Sequence, residues 1–86
     1  MQRKHIIKTQ RRQDARVVTI WLYKHQYAFT MSYNPDPKEK YSSTITFESE
    51  HNTLLLAMVL EHYFYEWKDI QRTGIRGVEV NGIELK

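Results

Sequence analysis

Two hydrophobic periods divide the chain, a period of two in the front half and one of 3.6 in the back half. Residues 17–23 (VVTIWLY) and 27–33 (YAFTMSY) are dense in β-branched and aromatic side chains, which favour strands. Residues 41–47 (YSSTITF) alternate, with Tyr41, Ile45 and Phe47 on one face and Ser42, Thr44 and Thr46 on the other. A shorter strand is expected at 4–8 (KHIIK). Residues 34–40 (NPDPKEK) read as a loop, because two prolines, an Asx residue and mixed charge oppose strand pairing.

A two-residue turn at His25 and Gln26 fixes the expected register of the central hairpin. It sets Lys24 opposite Tyr27, Leu22 opposite Phe29, Ile20 opposite Met31 and Val18 opposite Tyr33, gathering the apolar set on one side. The other face then carries Thr19, Trp21, Tyr23, Ala28, Thr30, Ser32, Ser42, Thr44 and Thr46. Residues 48–73 change to the helical period. Ser49 or Asn52 caps the start, Arg72 meets the carboxyl end of the dipole, and Gly74 and Gly77 stop the helix. Leu56, Leu60, Tyr63, Trp67 and Ile70, widened by Thr53, Ala57 and Phe64, form the stripe that should lie on the sheet. The tail VEVNGIEL holds Asn81-Gly82, which suits a type I′ hairpin turn, with Val80 facing Ile83 and Val78 facing Leu85.

The plan is one α+β domain over residues 1–86: a four-stranded antiparallel meander, one long helix and a C-terminal hairpin (ββββαββ) that either extends the sheet or covers the helix. Four strands followed by a long helix resemble, in element order, small dimeric single-strand-binding coactivator domains. The C-terminal hairpin departs from that plan.

A chain of 86 residues buries about 60–65% of the surface its unfolded form exposes, too little for a sizeable core and a deep cleft together. The absence of cysteine removes disulfides, Cys-type zinc sites and thiol chemistry. The serines have no spacing to a histidine and an acid that suggests a triad, and the glycines at 74, 77 and 82 make no phosphate loop. No enzyme is expected, and no cofactor. The longest apolar runs are too short for a signal core or a membrane span, so the reading is cytoplasmic with no membrane partner.

The formal net charge of +3 hides a polarised chain. Arg3, Lys4, Lys8, Arg11, Arg12 and Arg16 stand against Asp14 alone in the first sixteen residues, whereas acids outnumber bases after residue 47. This front could track a phosphate backbone, with Trp21 and Tyr23 on the polar sheet face stacking unpaired bases. Single-stranded DNA or RNA is therefore the first partner expected, bound through Arg3, Lys4, Lys8, Arg11, Arg12, Arg16, Trp21 and Tyr23. The bland alternatives are a solvated edge strand and aromatics packed under another element.

A second reading comes from the far side of the long helix. Leu54, Met58, His62 and Tyr65 lie there with His51 and Asp69, and a helix apolar on two sides is usually buried twice. These residues predict a homodimer contact or a protein partner, as in a small regulator or inhibitor of the phage or accessory-element type. A dimer seam holding a small anionic ligand is a third possibility. His62, Glu66 and Asp69 share one margin of the helix, but His62 with Glu66 is ordinary surface pairing and no metal is expected.

Overall fold

The computed structural model describes residues 2–86, and all their side chains but those of Lys68 and Asp69. The elements run β1 (Arg3–Thr9), α1 (Arg12–Lys24), β2 (Phe29–Tyr33), β3 (Ser43–Ser49), α2 (Thr53–Tyr65), α3 (Lys68–Thr73), β4 (Val78–Val80) and β5 (Ile83–Glu84). The strands make one sheet of order β2-β3-β1-β4-β5, antiparallel at every seam. The fold is thus α+β with an antiparallel sheet. The proline loop, the helix after residue 52 and the closing hairpin fall where their patterns put them.

The main correction concerns residues 17–23, which are helical. Their β-branched density suits a strand, yet Ala15, Val18 and Leu22, with Val17 and Trp21 beside them, are buried at helical spacing. Arg11 and Asp14 open this helix with a two-bonded ion pair at 2.8 and 3.2 Å. His25 and Gln26 do form a turn, but it ends a helix. The N–H of Gln26 donates to the Tyr23 carbonyl and that of Tyr27 to the Leu22 carbonyl, a Schellman closure with Gln26 in the left-handed region at φ 61°. The hairpin register expected around this turn therefore does not form, and β2 pairs with β3 instead. With a helix in second place, the likeness of element order to the coactivator domains is gone.

The long helix is in two pieces. Asn52 is its cap, accepting from the Leu55 N–H at 2.8 Å, while Ser49 stays in β3 and is buried. Trp67 breaks the helix with extended backbone at ψ 128°, and the redirected α3 buries Ile70. The C-terminal hairpin extends the sheet: β4 pairs with β1, and Val80 faces Ile83 across the turn.

β1 and β2 both run antiparallel to β3, so α1 links two parallel strands with a third between them. β3 and β4 bear the same relation to β1, with α2 and α3 as the link. Two interleaved split β-α-β units result, extended by β5. The helices cover one face. There His5, Ile7 and Thr9 of β1, Ile45 and Phe47 of β3, and Val78 and Val80 of β4 meet Val18, Trp21 and Leu22 of α1 and Leu56, Leu60 and Phe64 of α2. On the opposite face Lys4, Ile6, Thr30, Ser32, Glu48 and Glu84 are exposed, with Lys8, Thr44, Thr46 and Glu79 half-buried.

Candidate functional site

β1 has seven residues, about 20 Å of strand, so the basic front is divided between the two ends of the sheet. Arg3 and Lys4 lie at the end shared with Ser49 and Asn52. Arg11, Arg12 and Arg16 lie at or near the other end, with Lys8 on the open face beside them. Several connections converge there. Gln10 N–H donates to the Gly77 carbonyl at 2.9 Å, Ser42 N–H to the Thr9 carbonyl at 2.8 Å, and the Arg11 guanidinium to the Gly74 carbonyl at 2.9 Å. The loop between β2 and β3 brings Lys38 and Lys40 to the same end, and α1 begins there with the positive end of its dipole.

Two tyrosines at this end are flanked by cations. The Arg12 guanidinium stands 5.4 Å from the Tyr33 ring centre, and Tyr33 is 53% exposed. Lys8 and Lys40 approach the Tyr41 ring at 5.9 and 5.2 Å. Tyr41 donates its hydroxyl to the Glu79 carboxylate at 2.8 Å, and that bond raises its pKa above the ordinary tyrosine value. Arg11 is engaged within the fold, bonding Asp14 and the Gly74 carbonyl. Its partner Asp14 is fully buried, and burial pushes that carboxyl's pKa up while the Arg11 hydrogen bond and charge pull it down.

Trp21 is misplaced by the sequence reading. It is 2% exposed and packs on the rings of His25, Tyr27 and Phe47, so it offers no face to a base. Tyr23 is 73% exposed, on α1 rather than on the sheet, and its ring meets Phe29 edge-on at 5.3 Å. The open sheet face lacks aromatic rings on its central strands, where domains that stack RNA on a sheet carry them; Ile6, Thr44 and Thr46 occupy those positions. The sequence pattern marks Tyr33 and Tyr41 only as strand residues flanking the proline loop; their approach to the cations depends on strand order.

On α2, Leu54, Met58 and His62 are exposed on one stripe, and Leu55 widens it. Leu54 and Met58 are 67% and 65% exposed, with Arg3 beside them on the rim of a shallow depression. His62 pairs with Glu66 at 3.3 Å, and Tyr65 donates its hydroxyl to the Lys86 carbonyl at 2.9 Å. The side chain of Asp69 lies outside the described residues. Among the described residues no group of three or more His, Cys, Asp or Glu side chains could hold a metal ion, and no helix is long and apolar enough to cross a membrane.

A polar chain running inward from the exposed Asn81 joins the C-terminal turn to β1, β3 and α2. Asn81 accepts the Ile6 N–H at 2.7 Å through its Oδ1, which orients its amide so that Nδ2 donates to His5 Nδ1 at 3.0 Å and to Thr53 Oγ1 at 3.1 Å. Nδ1 of His5 is therefore the acceptor, and Nε2 carries the hydrogen donated to Ser49 Oγ at 2.9 Å. Burial holds the pKa of this imidazole below its ordinary value, opposed by a hydrogen bond to the Ser49 backbone and helped by the charges of His51 and Arg3.

The geometry defines a small α+β scaffold with one cation-rich end and one apolar helix face. Comparison with family models, with curated proteins and with solved structures finds no match to this chain.

Proposed function

We propose that this chain is a non-enzymatic module that binds single-stranded nucleic acid at the end of the sheet where α1 begins. The observation that carries the reading is that this end of the sheet sets a tyrosine ring beside cations on each face, Arg12 with Tyr33 at 5.4 Å on the helix-covered side and Lys8 and Lys40 with Tyr41 on the open side. Arginine and lysine contribute phosphate contacts that release counterions, and an exposed tyrosine ring contributes stacking that tolerates any base. Arg12, Arg16, Lys8 and Lys40 take the phosphate role, and Tyr33 and Tyr41 replace Trp21 as the stacking residues.

The test is fluorescence anisotropy of a labelled oligothymidine at a series of salt concentrations. Wild type should bind with log K falling linearly against log salt, and Arg12→Ala and Arg16→Ala should each reduce that slope by about 0.7. No binding at low salt removes the proposal, as does binding that neither variant weakens.

The exposure of Leu54 and Met58 favours a second reading, a protein partner on α2. Binding of such a partner should be abolished by Met58→Glu and should change little with salt. Partner binding that survives Met58→Glu would remove this reading.

A further inference from the structure

We infer that two copies of this chain associate by pairing β2 antiparallel with β2 of the second copy, about a twofold axis through Met31. The two edges of the sheet differ in how they are protected. β5 is two residues long and carries Glu84, two common defences of an edge strand. β2 is five residues long, and residues 26–35 carry no charge. No proline or bulge interrupts its ladder with β3, and every residue from Thr30 to Tyr33 is exposed.

The backbone groups on this edge are aimed outward in a defined set. Asn81 N–H donates to the Ile6 carbonyl, so Ile6 and Lys8 bond toward β4 while His5, Ile7 and Thr9 bond toward β3. Carried across the paired registers, this alternation turns Thr30 and Ser32 toward β3 and leaves the N–H and C=O groups of Phe29, Met31 and Tyr33 facing away from the sheet.

The sequence of the strand is self-complementary about its centre. Phe29-Thr30-Met31-Ser32-Tyr33 reads aromatic, hydroxyl, methionine, hydroxyl, aromatic from either end. Twofold pairing sets Phe29 opposite Tyr33 of the second copy, Thr30 opposite its Ser32, and Met31 opposite its Met31. Aromatic pairs and hydroxyl pairs directly across antiparallel strands are favourable. The residues with outward-facing backbone groups become the hydrogen-bonded pairs. Neighbouring side chains agree with this register. Tyr23 packs on Phe29 and Arg12 on Tyr33, so the axis brings the Arg12 and Tyr33 corner of one copy toward the Tyr23 and Phe29 corner of the other, cation to aromatic. Pro35 and Pro37 stop the pairing beyond Asn34, and the defended β5 edge offers no second site, so association closes at two copies.

Sedimentation velocity across a concentration series tests this directly. Wild type should show a monomer–dimer equilibrium. Met31→Lys, which sets two ammonium groups at the axis, should raise the dissociation constant at least tenfold without loss of helical circular dichroism. Met58→Glu on α2 should leave it unchanged. Because the chain has no cysteine, Met31→Cys gives an independent reading. Its Cα should lie about 5.5 Å from that of the second copy, within disulfide reach, so mild oxidation should yield a covalent dimer. The inference fails if wild type is monomeric throughout, if Met31→Lys leaves the dimer intact, or if Met58→Cys crosslinks and Met31→Cys does not.

Discussion

Replacing Asn81 probes the point where the hairpin, β1 and α2 are tied together. Three side-chain hydrogen bonds are lost, to the Ile6 N–H, His5 Nδ1 and Thr53 Oγ1. A net hydrogen bond contributes about 0.5–1.5 kcal/mol, and a buried acceptor left without a partner costs about 1–3 kcal/mol. His5 is fully buried, so its Nδ1 falls in the second class; the bonds to Ile6 and Thr53 lie nearer water and count at the low end. Asn81 also holds φ 49°, where alanine costs about 1–2 kcal/mol and glycine does not. These effects overlap, which places Asn81→Ala at about 3–4 kcal/mol and Asn81→Gly about 1 kcal/mol lower. Urea unfolding followed by circular dichroism measures both, and an unchanged m value shows that the shift is one of stability. Should both variants fall within about 0.5 kcal/mol of wild type, the chain of bonds contributes nothing and the reasoning is refuted. Should glycine cost as much as alanine, the backbone part alone is wrong.

Acid should weaken the fold through His5. Its folded pKa is depressed, so its contribution is present above the ordinary value of 6.5 and is lost as pH falls through the folded value. Asp14 has the opposite sign: its raised pKa gives a contribution that is complete below 3.8 and is lost as pH rises through the folded value. Urea midpoints should therefore fall on acidification below 6.5, and His5→Gln should flatten that fall; an unflattened curve would count against the His5 assignment. Gln26→Gly should stabilise by about 0.5–1 kcal/mol by thermal unfolding, since Gln26 holds a left-handed position at the end of α1. Trp21→Ala should cost about 3–5 kcal/mol, and a cost below about 1 kcal/mol would place Trp21 outside the core.

Much of the fold was legible because local chemistry and tertiary context agreed. Asn81-Gly82 marked the hairpin, the two prolines marked the loop, and Leu56, Leu60 and Phe64 marked the buried face of α2. Residues 17–23 were misread because β propensity largely expresses packing on a half-buried sheet, and here the same side chains pack from a helix. Extending the pattern back to Asp14 and Ala15 would have supplied the missing helical turn. The charge asymmetry was visible, but its meaning depended on β1 being a strand that carries Arg3 away from Arg12. The approach of Tyr41 to Lys8 depends on strand order, which a list of strands does not contain.

The position of β1 also bears on how the chain folds. This strand, near the front of the sequence, sits at the centre of the sheet, and Ile7 finds its neighbours in Ile45 and Val80. Both seams close long loops whose entropy is lost before any contact rewards it, so the sheet has a high contact order for its size. The bonds of α1 are all local, whereas β1 must wait for β3 and then for β4. Until β4 arrives the second hydrogen-bonding edge of β1 is unmatched, including the Ile6 N–H that Asn81 accepts in the finished fold.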